Sequence, residues 1–127
     1  MILADTSVWV DHLRMGEPRL VTLLEQGQVL MHPFVLGELA CGNLRGRAQV
    51  LRYLGELPRS PVARDEEALR FIEAHRLMGK GIGWIDVHLL VSVALSPGSR
   101  LWTRDRRLEA VARALGLHLD PRTVPPG

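Results

Sequence analysis

Short apolar runs separated by longer amphipathic stretches constrain this chain more than any other feature. Ile2 to Asp5, Val29 to His32 and Arg100 to Thr103 are each long enough for a buried strand and too short for a helix. Leu117 to Leu119 reads as a last short strand and Val62-Ala63 as a minor one. Between them the apolar period shifts to that of helices, predicted at Val8 to Leu13, Glu17 to Gln26, Phe34 to Cys41 behind Pro33, Gly46 to Leu57, Asp65 to Met78 and Arg106 to Leu115. Trp84 to Leu95 is apolar nearly all round and predicts a buried helix. Strands alternating with helices imply parallel βαβ units, with helices on both faces of one sheet. The fold class is therefore α/β, a three-layer arrangement with about five short parallel strands.

The chain has 127 residues, enough for one domain with a real core. It shows no repeat, linker or low-complexity segment, and Pro121 to Gly127 reads as a tail. Its single cysteine, Cys41, excludes an internal disulfide or a cysteine-built zinc site and is expected as a small buried side chain. The longest stretch without Asp, Glu, Lys or Arg is Val87 to Ser99, short of the roughly 18–20 residues a membrane span needs. The apolar start meets Asp5 too soon for a signal peptide, so a cytoplasmic protein with no membrane partner is expected.

Where the carboxylates fall carries the functional reading. In parallel sheets, ligands bind beyond the carboxyl ends of the strands. Asp5 ends the first strand, and Asp105 lies two positions past Thr103. Asp86 opens the apolar helix, and Glu38 sits among apolar neighbours in Phe34 to Ala40, which predicts a buried carboxylate. Each acid has a plainer role open to it, as a helix cap, a turn residue or half of an ion pair with one of fifteen arginines. If the four converge, they raise one another's pKa values, and a divalent cation removes that penalty. All-oxygen ligands without cysteine or paired histidine point to Mg²⁺, with Mn²⁺ as its substitute. Such ions suit phosphodiester hydrolysis. Formal charge is +2, but apart from a metal site of four acids the surface sets sixteen cations against ten acids, which attracts polyanions.

Asp5-Thr6-Ser7-Val8-Trp9, Glu38 within Gly37-Glu38-Leu39, Trp84-Ile85-Asp86 and Trp102-Thr103-Arg104-Asp105 together resemble the acidic quartet of PIN-domain nucleases. The length is similar to that of VapC ribonuclease toxins from toxin–antitoxin modules. The resemblance covers Met1 to about Leu119. It implies an endoribonuclease in which Asp5 and Asp86 are the principal Mg²⁺ ligands, while Glu38 and Asp105 complete the pocket. Thr103 matches the family's hydroxyl residue two before the last acid, and Thr6 or Ser7 would touch the metal's water shell. The implied partners are an RNA substrate and a VapB-type antitoxin whose tail occludes the acids. His88-Leu89-Leu90-Val91 departs from the smaller residues that many relatives carry there, which bears on packing and leaves the acids untouched.

Other features are less specific. Arg104, Arg106 and Arg107 are candidate RNA phosphate contacts, with a solvated helix start as the plainer reading. Gly79-Lys80-Gly81-Ile82-Gly83 lacks phosphate-loop spacing and is expected to end a helix or, less readily, admit substrate backbone. His88 is expected as a packed core residue, and Trp9, Trp84 and Trp102 as core or rim. Val8, Trp9, Leu13, Leu20, Leu23 and Leu24 cannot all face one sheet, so a homodimer interface or a groove for a partner's amphipathic segment is expected. A housekeeping RNA-processing or DNA-directed nuclease and a non-catalytic RNA-binding or dimerisation module remain the alternatives.

Overall fold

A computed structural model describes all 127 residues. The central strand is β1 (Ile2–Ala4), flanked in parallel by β2 (Val29–Leu30) and β3 (Arg100–Trp102), giving the order β2-β1-β3. Single parallel bridges extend both edges, Met31 with Arg59 beyond β2 and Leu101 with His118 beyond β3. The five expected strands are thus three strands joined in two ladders, and two one-residue bridges. The minor strand expected at Val62-Ala63 is displaced to Arg59. There Met31 N–H donates to Pro58 O and Ser60 N–H to Met31 O, and Pro61 has no N–H to carry the pairing on.

The helices are α1 (Thr6–Met15), α2 (Pro18–Glu25), α3 (Pro33–Ala40), α4 (Arg47–Glu56), α5 (Asp65–His75), α6 (Trp84–Ala94) and α7 (Arg106–Ala114). Helix α1 starts two residues earlier than the apolar pattern implies because Asp5 caps it, accepting from Ser7 and Val8 N–H. In α6 every residue from Val87 to Val93 is buried, as its all-round apolar character predicts. Leu3, Leu20, Leu89, Leu90, Leu101 and Leu108 pack with Trp9 in one main core. Burying a leucine in this way contributes about 1.5–3 kcal/mol.

Two expectations are corrected. Cys41 is exposed, because it caps the end of α3 just where that helix leaves the core. The segment 121–127 is docked rather than free: Pro121–Thr123 forms a 3-10 turn, Val124 is buried in the core, and Gly127 N–H donates to Pro18 O. No helix is long and apolar enough to cross a membrane.

Candidate active site

The carboxyl ends of β1 and β3 are tied together where Asp5 N–H donates to Trp102 O. Around this point stand the N-termini of α1 and α7. Asp5 caps the first and Asp105 the second, while Asp86 lies in the first turn of α6 and accepts from Gly83 N–H. Capping is therefore a real role of all three aspartates.

Capping uses only half of each group. Asp5 Oδ1 takes Ser7 N–H, Ser7 Oγ–H and Val8 N–H, whereas Oδ2 takes only the Thr103 hydroxyl at 2.5 Å. Asp105 Oδ1 takes Arg107 and Leu108 N–H, and its Oδ2 takes nothing. Asp86 binds Gly83 N–H through Oδ2 alone, and Glu38 binds the Thr6 hydroxyl through Oε1 alone at 2.7 Å. Asp86, Glu38 and Asp105 are each held through one oxygen and Asp5 through both, and every one of the four presents an oxygen with capacity to spare. None of the four forms an ion pair, although the chain holds fifteen arginines.

Burial pushes the Asp5 carboxyl above its ordinary range, against the pull of its hydrogen bonds. Asp86 is also raised, first by burial and then by the negative charges of Asp105 and Glu38, with its Gly83 bond opposing. Those two acids therefore lie near enough to Asp86 to be felt. Glu38 itself is exposed, contrary to expectation. Helix α3 turns Val35 and Leu39 into the core and leaves Glu38 on the open face. No three of the chain's acidic, histidine or cysteine side chains are grouped closely enough to hold a metal ion together. The donor set nevertheless fits a hard ion such as Mg²⁺, which uses one or two carboxylates and retains several waters.

The neighbouring hydroxyls are supports. Thr103 Oγ1 donates to Asp5 and accepts from Asp105 N–H, and Ser7 Oγ donates to Asp5 and accepts from Arg104 N–H. Arg104 is not a free phosphate contact. Its guanidinium holds Asp11 at 2.5 Å and also Glu17, clamping the turn between β3 and α7 onto α1. Sequence reading misses this clamp, because its partners lie 93 and 87 positions away. Arg104→Ala should lower cleavage by about 10–100-fold without unfolding the chain, as for residues that orient ligands. Rates compared alongside circular dichroism check it, and a rate unchanged from wild type would deny the clamp any such role.

His88 is buried between Phe34 and Trp84, with ring centroids at 5.0 and 4.6 Å, so it belongs to the core. Trp9 and Trp102 are also core residues, while Trp84 is on the rim at 41% exposure. Along α1 and α3 an open groove of about 620 Å³ is lined by Val10, Leu13, Leu39 and Val50, with Glu38 among its walls. Val10 and Leu13 are part of the apolar surface that the core does not absorb, whereas Leu20 and Leu23 are buried.

The PIN domain family model matches residues 2–114. The chain belongs to the PIN-domain family. Within it, the chain is 48% identical over 119 residues to Ribonuclease VapC32 of Mycobacterium tuberculosis, strain H37Rv, covering 94% of this chain and 96% of that protein. The same protein from strain CDC 1551 matches equally well, which makes this a VapC-type PIN domain. The structure of PAE2754 from Pyrobaculum aerophilum superposes with a TM-score of 0.61, covering 96% of this chain and 84% of that one. At 17% identity that likeness concerns the PIN fold alone.

Proposed function

We propose that this PIN domain is a divalent-metal-dependent endoribonuclease and the toxin of a toxin–antitoxin pair. One observation carries the reading: four carboxylates that each keep an oxygen free of full protein bonding, with none drawn into an ion pair, in a chain nearly half identical to a named ribonuclease.

In this reading Asp5 and Asp86 hold Mg²⁺ or Mn²⁺, and Glu38 and Asp105 complete the pocket. The bound ion supplies Lewis acidity toward the phosphodiester and a source of nucleophilic water near neutral pH. Thr103 and Ser7 fix Asp5, and Thr6 fixes the Glu38 carboxylate. Glu38 Oε2 and Asp105 Oδ2, on exposed side chains and without donors, are the acceptors for the proton of the attacking water. No histidine is required, and His88 is sealed in the core.

The partner in this reading is a VapB-type antitoxin. Its tail lies in the groove beside Glu38, where Val10 and Leu13 receive an apolar side and Glu38, Arg14 and Arg45 supply the charged groups. The test is incubation of the purified protein with total RNA, with Mg²⁺ or Mn²⁺ and with EDTA. Cleavage is expected only with metal and is stopped by added antitoxin. Intact RNA under every condition, from a folded protein that binds no Mn²⁺, would refute the nuclease reading.

A further inference from the structure

The glycine-rich stretch between α5 and α6 has a use that helix termination does not explain. Gly83 N–H anchors the Asp86 carboxylate. Two residues earlier, Gly81 sits at φ +80°, and a Cβ there would lie 2.6 Å from Arg107 Cδ and 2.9 Å from its Nη1. The Arg107 side chain thus passes close against the loop at Gly81, through space that a side chain at that position would fill. Lys80 is the next residue back along this loop.

Lys80 from this loop and Arg107 from α7 both line a groove of about 410 Å³. His75, Lys80, Arg106 and Arg107 supply its polar groups, and no carboxylate lines it. Neither Lys80 nor either of the two arginines has an ion pair, whereas Arg64, Arg104, Arg113 and Arg122 are neutralised by nearby acids. Leu77, Ala110, Val111, Ala114 and Leu115 complete the lining, and none of them is among the large exposed hydrophobic side chains. Arg106, the residue after Asp105, is part of its lining.

We propose that this groove carries the phosphate backbone of the RNA on one side of the scissile bond, with Lys80 and Arg107 contacting phosphates inside it and Arg106 beside them. The inference rests on the ribonuclease reading and adds the path of the substrate. The missing side chain at Gly81, the neighbour of Lys80 in sequence, leaves room beside the loop for Arg107, which shares the groove lining with Lys80. The glycines let the loop approach α7 closely enough for one strand to touch both walls.

The test is fluorescence anisotropy with a labelled single-stranded RNA of mixed sequence, in EDTA and across a salt series. Lys80→Gln combined with Arg107→Gln should weaken binding about tenfold at low salt. It should also make the slope of log K against log salt shallower by about 1.4, at about 0.7 for each phosphate no longer neutralised. Arg113→Gln combined with Arg122→Gln removes the same charge from paired positions and should leave the slope unchanged. Circular dichroism and Mn²⁺ binding by the first double variant should match wild type. Equal slopes for wild type and the Lys80/Arg107 variant would overturn the groove while leaving the nuclease reading intact if wild type still cleaves. Equal losses in both double variants would overturn it too, since net charge alone would then govern binding. Failure of wild type to bind or cleave RNA would remove the groove and the ribonuclease reading together.

Discussion

Asp5→Asn should abolish RNA cleavage, lowering the rate by more than about 100-fold, while the protein folds with a melting temperature no lower than wild type. The loss follows from the proposed role. Residues that merely orient a metal ligand cost about 10–100-fold when altered, and the ligand itself costs more. The retained stability follows from the environment. Burial raises the Asp5 pKa, so its charged form is disfavoured in the folded protein. Asparagine keeps an oxygen for Ser7 and Val8 N–H, and its amide can donate to the second lone pair of Thr103 Oγ1. With Mn²⁺ in excess, wild type should gain melting temperature by mass action, and the variant should lose most of that gain. Near-wild-type cleavage by separately purified Asp5→Asn would remove Asp5 from the site.

The second large effect concerns His32, a residue that no sequence motif singles out. It is fully buried and caps α3, its Nδ1 accepting from Phe34 N–H at 2.9 Å. Its Nε2 has no partner. Burial first, and then the neighbouring His88, lower its pKa from 6.5 to about 4. His88 in turn has Asp65 Oδ1 3.3 Å from its Nε2. A folded-state pKa below the unfolded value means that the unfolded chain binds the proton first as pH falls. Stability is therefore complete above pH 6.5 and is lost as pH drops toward 4, by about 3 kcal/mol for this group. Asp5 and Asp86 act in the opposite sense. Their raised pKa values add stability as pH falls toward 3.8, so a single melting curve mixes the two effects.

A variant separates them. His32→Asn preserves the acceptor for Phe34 N–H and removes the titration, at the cost of a cavity. Urea unfolding of both proteins at pH 7 and pH 4 should show the advantage of wild type shrinking by about 3 kcal/mol across that range. A difference that stays constant between the two pH values would mean that His32 is not held neutral.

The four candidate acids stand out in the sequence because a parallel α/β fold gathers ligands at set positions. Asp5 and Asp105 follow strands of a parallel sheet, and Asp86 opens an apolar helix, whose first turn it also caps. Glu38 stands out in the sequence for a reason that does not hold. Its apolar neighbours predict burial, yet α3 exposes it, and its place beside Thr6 depends on how α3 packs against α1. Arg104 reads as a phosphate contact because local sequence shows basic charge and not the distant acids that neutralise it. The edge strands shrink to single bridges because prolines and backbone geometry, rather than apolar pattern, set their extent. Lys80 and the Gly81 notch acquire meaning only with α7 set against the loop.

The Thr103 hydroxyl reaches Asp5 across 98 positions, and β1 gains its β3 partner from equally far along the chain. Contacts of such long range form late, after the loop between them has closed. During synthesis, Asp5 precedes Thr103 by 98 positions and waits for that whole stretch before its carboxylate is oriented. A nascent chain therefore lacks the assembled acidic pocket, and catalytic competence arrives as a single late event. For a molecule proposed to cut RNA, that order of assembly keeps the unfinished chain harmless to the ribosome making it.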